Sequence, residues 1–179
     1  MMRIKLVLLA LFKCFTNFIM FLPSHSIRLL YLKMILGRLG SGSTVCRNVE
    51  IRNPRNIFIG SNTIINKRVL LDGRGGQLII GDNVDIAQDV YLWTMQHDYN
   101  DKLHSQTGGS LHIEDYVWIA SRANVLPNVR IKKGAVIGTC SLVTKDVDTM
   151  DIVGGVPAKK ISNRINELTY RLYHRPLFG

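Results

Sequence analysis

His97 stands near the head of a polar stretch, residues 93–110, that also holds Asp98, Asp101 and His104. An imidazole of ordinary pKa, about 6.5, is largely neutral at physiological pH and can take the proton of a hydroxyl as its oxygen attacks, which is the work of a general base. A histidine in that position can equally serve the loop itself, by hydrogen bonding in the Asp98 or Asp101 region. His97, His104 and His112 together offer three nitrogens to a metal, but their spacing across a flexible loop fits no zinc ligand pattern, and a catalytic zinc also needs an open coordination position. Asn66, four residues after Asn62, suits a turn whose backbone is left-handed, and Asp72 raises the same choice between a turn role and a binding role. The three cysteines, Cys14, Cys46 and Cys140, are odd in number and far apart, so they make no disulfide framework and fit a cytosolic chain. Neither a cysteine nor a serine lies in a motif for a covalent acyl intermediate.

These side chains need a rigid frame, and the spacing of aliphatic residues supplies one. From Ile113 a branched aliphatic residue returns every sixth position through Ile119, Val125, Ile131, Ile137 and Val143. Four residues after each comes a small or β-branched one: Val117, Ala123, Val129, Ala135, Ser141 and Val147. Upstream, Ile80, Ile86 and Leu92 keep the row with Val84 and Val90, and Ile59, Ile65 and Leu71 keep it with Thr63 and Val69. A period of six belongs to neither a helix nor a flat strand; it means a short strand and a turn, repeated. The expected fold is an all-β, prism-shaped parallel β-helix whose coils are stable only when stacked. The rhythm slips before Ile80, where Gly73, Gly75 and Gly76 suit a bulging corner. It breaks entirely for the His97 segment, a loop over 93–112, and long loops thrown out of a solenoid are usually functional. Trp118 lies next to the aliphatic row, so strand alternation points it outward, and an outward tryptophan should cover something. Cys140 falls within the ladder, where a small residue is needed.

Three regions are expected: a basic, apolar helical segment over 1–43, the β-helix over 44–157, and a C-terminal helix and tail over 158–179. Residues 6–22 are mostly apolar but carry Lys13, Thr16 and Asn17, too short and too polar for a good membrane span and without the small-residue exit of a cleaved signal. An interfacial helix on anionic lipid and a helix packed on protein both fit. Pro23 ends it, Ser24 can cap a second helix to about Leu36, and residues 40–43 read as a Gly/Ser linker. After the bend at Gly155 and Pro157, Ile161, Ile165, Leu168 and Leu172 fall on one face of a helix. The net charge of +10 is concentrated at the ends: before Glu50 there are seven bases and no acid, whereas residues 50–158 hold eleven bases and twelve acids. Basic ends suit phosphates of lipid or of a phosphorylated ligand; no Lys/Arg run interleaved with aromatics points to nucleic acid.

The hexapeptide ladder, the segment from His97 to Asp101, the runs Asp115 to Ile119 and Val143 to Val147, and the bend Gly155 to Ala158 together resemble a hexapeptide-repeat O-acetyltransferase. The similar branch includes maltose and galactoside acetyltransferases and the enzymes that acetylate capsule, O-antigen and exopolysaccharide sugars. The resemblance implies a left-handed β-helix, assembled as a homotrimer in the cytoplasm, that moves acetyl from acetyl-CoA to a carbohydrate hydroxyl without a metal, by direct attack of the acceptor in a ternary complex. It implies that His97 is the general base and that Asn66 and Asp72 bind the acceptor. It also implies that Trp118 packs along the pantetheine arm of CoA, that backbone amides near Ala120 and Gly138 line the groove, and that Lys145 and Lys160 meet the CoA phosphates. Ala120, Thr139 and Cys140 depart from the family's smaller residues and crowd the corners near the expected thioester channel. The membrane's inner face is the expected location if the basic N-terminus meets anionic lipid. Two rival readings are a zinc-dependent hydratase of the carbonic anhydrase type, which shares this fold, and a non-catalytic assembly platform.

Overall fold

In a computed structural model of the chain, which describes residues 2–165 and 167–174, the six-residue rhythm becomes the three faces of a left-handed parallel β-helix. The first face stacks Arg38–Leu39, Ile57–Ile59, Leu78–Ile80, Leu111–Ile113 and Arg130–Ile131. The second stacks Thr44–Val45, Ile64–Ile65, Asp85–Ile86, Trp118–Ile119, Val136–Ile137 and Asp151–Gly154. The third stacks Glu50–Arg52, Leu70–Asp72, Tyr91–Leu92, Asn124–Val125 and Leu142–Val143. Like pairs with like across coils, as in Ile65 with Ile86 and Ile119 with Ile137. The whole aliphatic row from Ile59 to Val143 is buried, as are its small partners from Thr63 to Val147.

Most corners of the first two faces turn through a residue with positive φ three places after a rung, such as Asn62 after Ile59 and Asn83 after Ile80, and Asn128 does so after Val125 on the third. Asparagine tolerates that left-handed backbone because its short side chain bonds locally. Buried hydroxyls at the corners are satisfied: Ser43 Oγ donates to the Gly60 carbonyl at 2.6 Å, and Thr63 Oγ1 donates to that of Gly81 at 2.8 Å.

Three sequence expectations change here. The ladder begins before residue 44, because Arg38–Leu39 already pairs with Ile57–Ile59, and residues 40–43 form the first corner, with Gly42 at φ 74°, instead of a linker. At its other end it keeps within the expected span, with Val153 paired to Ile137 and buried. The expected C-terminal helix does not form among the described residues. Lys159–Asn163 pairs antiparallel with Asp151–Gly154, because the last coil leaves an open sheet edge whose backbone groups need partners.

Beyond that hairpin, residues 164–165 and 167–174 run back along the corner between the first and second faces. Arg164 Nη1 donates to the Tyr116 carbonyl at 3.0 Å, Arg171 Nε to Asn62 Oδ1 at 2.9 Å and the Leu172 N–H to Asn83 Oδ1 at 3.2 Å, while Thr44 Oγ1 donates to the His174 carbonyl. The segment straps later coils to the first. The remainder of the expected tail, 175–179, lies outside the described residues.

Both expected N-terminal helices form: α1 over Met2–Phe21 and α2 over His25–Ile35. Ser24 stands at the N-cap of α2 without a side-chain cap bond, and Arg28, fully buried, holds the turn by donating to the Leu22 and Pro23 carbonyls. Only the second half of α1 is anchored, through buried Met20 and a 2.6 Å hydrogen bond between the Thr16 and Tyr31 hydroxyls. Among the described residues no helix is long and apolar enough to cross a membrane.

Candidate active site

The polar break in the ladder folds into an antiparallel hairpin, Met95–His97 with Gln106–Gly108, leaving the corner between the third and first faces. Glycines seat it. A Cβ on Gly75 would lie 2.0 Å from the Thr94 carbonyl oxygen, and one on Gly108 would lie 2.4 Å from the same atom. The slip containing Gly73, Gly75 and Gly76 is therefore the floor on which the hairpin rests. The tip is tied by its carboxylates. Asp98 accepts the Asn100 N–H at 2.9 Å, and Asp101 accepts those of Leu103 at 3.1 Å and Ser105 at 3.0 Å. Bonds from the Ser105 side chain and from these amides hold the Asp101 carboxyl below the usual range.

His97 uses this hairpin to fix its tautomer. Its Nδ1 lies 2.8 Å from the His104 carbonyl oxygen, and a carbonyl only accepts, so Nδ1 carries the hydrogen and Nε2 keeps a lone pair. The His104 ring stacks flat on it, centroids 4.2 Å apart. The partner is thus a backbone carbonyl and not the Asp98 or Asp101 side chain. His97 borders a cavity of about 340 Å³ with Arg74, Trp93, Met95, Gln106 and Leu126, an apolar wall with a few polar groups.

Arg74 and Trp93 are the residues the sequence reading missed. Asp72 is 0% exposed and cannot meet a ligand directly; both its oxygens hold the Arg74 guanidinium, at 2.8 and 3.2 Å, and it is Arg74 that faces the cavity. Those bonds raise the Arg74 pKa further above its ordinary value, so it is a permanent cation. An Asp-x-Arg spacing inside the glycine slip was the available signal. Trp93 directly follows the Leu92 rung, so the alternation that turned Trp118 outward turns it outward too; Arg52 lies over its ring at 5.4 Å.

The other expected site residues lie elsewhere on the same copy. Asn66 is on the far side of the second face, between Ile64–Ile65 and Leu70–Asp72; Arg68, not Asn66, takes the left-handed backbone. The Asn66 amide donates to the Ile86 carbonyl at 3.0 Å and to Asp85 Oδ1 at 3.4 Å. Burial pushes the Asp85 carboxyl up, partly offset by His174. Trp118 points outward from the second face, 46% exposed, beside Val136. The N–H groups of Ala120 and Gly138 themselves donate to the carbonyls of Ile137 and Val153 within the sheet. Lys145 is exposed at the corner after Leu142–Val143, and Lys160 is tied to Asp151 at 2.6 Å. Cys140 is exposed at a left-handed corner, φ 56°, so it fills no core position; burial raises the Cys46 thiol pKa. His112 stands on the first face between Ile79 and Arg130, away from the stacked pair, and no three His, Cys, Asp or Glu among the described residues could hold a metal together.

No family model matches the sequence. Among curated proteins, the chain is 41% identical over 102 residues to a chloramphenicol acetyltransferase of Klebsiella aerogenes, 53% of this chain and 49% of that protein. The match therefore spans about half the length of such relatives. A putative acetyltransferase of Staphylococcus aureus is 34% identical over 134 residues, 70% of this chain and 67% of that one. Among solved structures, a galactoside acetyltransferase in complex with coenzyme A superposes with TM-score 0.81 at 26% identity, over 93% of this chain and 88% of the other. A hexapeptide-repeat acetyltransferase of Vibrio cholerae complexed with acetyl-CoA does so with TM-score 0.80 at 26% identity, over 86% of each chain. Coil geometry, ladder and relatives agree, and the chain belongs to the hexapeptide-repeat acetyltransferases of the galactoside and maltose O-acetyltransferase type.

Proposed function

We propose that the protein transfers acetyl from acetyl-CoA to a carbohydrate hydroxyl, in the assembly of a surface polysaccharide, with His97 as general base. The observation that carries this is the His97 tautomer: Nδ1–H is held by the His104 carbonyl, so Nε2 has its lone pair at the wall of the cavity. The acceptor oxygen attacks the thioester carbonyl as Nε2 takes its proton. The tetrahedral intermediate then expels the CoA thiolate, which recovers the proton from the imidazolium. A direct transfer fits the cysteines, of which Cys46 is buried and Cys14 and Cys140 are exposed away from His97. Arg74, fixed by Asp72, orients the acceptor, with Trp93 as an apolar platform.

The acetyl-CoA seat is the outer surface around Trp118, with Val136 beside it and Lys160 on the same sheet; Lys145, at the corner between the third and first faces, reaches the CoA phosphates from the neighbouring copy. On one copy that face lies opposite the corner from which the His97 hairpin leaves, so donor and base meet only between copies. We infer a homotrimer in which His97 of one copy faces Trp118 of the next, and in which Asn66, beside the second face, completes the acceptor site. The acid-free N-terminus holds the trimer peripherally at the inner face of a membrane through α1.

A second acceptor class follows from the match to chloramphenicol acetyltransferases: a hydroxyl of that drug or of similar small molecules. The test is CoA release by the purified protein with acetyl-CoA and a panel of glycosides plus chloramphenicol, beside His97→Ala. The variant should lose about 10²–10⁴-fold in transfer while still folding and binding acetyl-CoA. A non-catalytic platform predicts no transfer in either protein, and a full-rate His97→Ala would remove histidine from the mechanism.

A further inference from the structure

A second and larger cavity, about 900 Å³, lies between α1 and the third face and opens toward the His97 cavity: Arg74, Met95 and Gln106 line both. Its lining is of two kinds. Leu9 and Phe12 of α1, with Ile35 and Ile51, are apolar; Arg52, Arg55 and Arg74 are cationic, and Arg74 borders the His97 cavity as well. Leu9, Phe12, Lys13 and Thr16 share a helical spacing, so one face of α1 forms the wall. The charge does not cancel. Of the four lining cations, Arg52 and Lys13 share Glu50, at 2.8 and 3.9 Å, and Arg74 holds Asp72, which leaves an excess of two positive charges, with Arg55 exposed.

The rest of α1 is apolar as well. Leu8, Leu11 and Phe18 are more than half exposed, and α2 adds exposed Leu30 and Met34. Contiguous exposed apolar side chains of this extent mark a surface that apolar matter covers. A bilayer would cover the outer side of α1 and supply the contents of the cavity from the same source.

We propose that this groove seats an amphiphilic acceptor, a sugar joined through phosphate to a long apolar chain, drawn from a membrane and presented with its sugar at His97. The chain lies against Leu9 and Phe12, the phosphate meets Arg55 and Arg74, and the sugar enters the smaller cavity. The proposal rests on the acetyltransferase reading for its last step, but groove occupancy can be measured without it.

The experiment titrates the full-length protein with dodecyl phosphate, dodecyl maltoside and inorganic phosphate, the amphiphiles below micelle-forming concentrations, by calorimetry. Dodecyl phosphate should bind saturably and about tenfold or more tighter than either comparison. Arg55→Gln should remove the advantage over the neutral detergent, and Leu9→Asp with Phe12→Asp should remove the advantage over free phosphate. Equal binding of the two amphiphiles, or variants that bind as the unsubstituted protein does, overturns the proposal. So does a change of oligomeric state in the double variant, which would mean that a second copy covers α1. A parallel acetyl-CoA titration separates the two readings. Its failure with dodecyl phosphate binding intact fails the donor chemistry alone, and the reverse result fails the groove alone.

Discussion

The chemistry of the site depends on which nitrogen of His97 holds a hydrogen, and a backbone carbonyl decides it. A carbonyl oxygen can only accept, so it fixes the tautomer without bringing a charge beside the ring. Asp72 works at one remove, as a buried anchor for Arg74. Asp85 gives a residue-scale prediction. Burial disfavours its ionised form, so its folded pKa is raised. The folded state then holds the proton more tightly than the unfolded chain, and stability falls as pH rises through the ordinary carboxylate range toward the folded value. Asp85→Asn, which keeps an acceptor for the Asn66 amide, should raise the Tm at pH 7, with the gain shrinking to nothing as pH falls below the unfolded pKa of about 3.9. Equal gains at both pH values would refute it. At this scale the sequence was read unevenly. His97 was legible because it interrupts a strict period. The burial of Asp72 was not legible because it depends on Arg74 folding back over it, nor were the partners of the Ala120 and Gly138 N–H groups, because a period says nothing about where a given N–H points.

Among the elements, the hairpin and the C-terminal segment show what periodicity sees and what it does not. The glycine slip looked like a bulging corner; its further function, a floor for a hairpin that begins some twenty residues later, is a long-range contact. Gly75→Ala tests that function. The added methyl would meet the Thr94 carbonyl and must displace the hairpin, so acetyl transfer should fall about tenfold or more while acetyl-CoA affinity stays within about twofold. An unchanged rate would mean that His97 does not need its seat. In the C-terminal segment, Ile161, Ile165, Leu168 and Leu172 keep a helical spacing, yet Ile161 and Ile165 are exposed. The open edge at Asp151–Gly154 and the acceptors at the corners, among them the Tyr116 carbonyl and Asn62 Oδ1, compete for this chain and hold it extended. Tertiary hydrogen bonding outweighs a modest local preference, a contest that no window of sequence contains.

At the scale of the whole molecule, a neutral ladder carries basic ends, and one copy holds His97 and its outward Trp118 on opposite sides. The ladder from Ile59 to Val143 was legible because each rung repeats its neighbour's environment; its first rung, Arg38–Leu39, lacks that repeated pattern and was not. The separation of His97 from Trp118 was not, since it follows from how many rungs lie between them and which face each occupies. Assembly between copies resolves it and makes acetyl-CoA binding on the second face the central claim. The most direct measurement is calorimetric titration of acetyl-CoA into the purified protein, with Trp118→Ala and His97→Ala alongside. Saturable binding is predicted for the unsubstituted protein, retained by His97→Ala and weakened about tenfold or more by Trp118→Ala. No saturable binding to a folded trimer, or equal affinity in Trp118→Ala, would contradict the account.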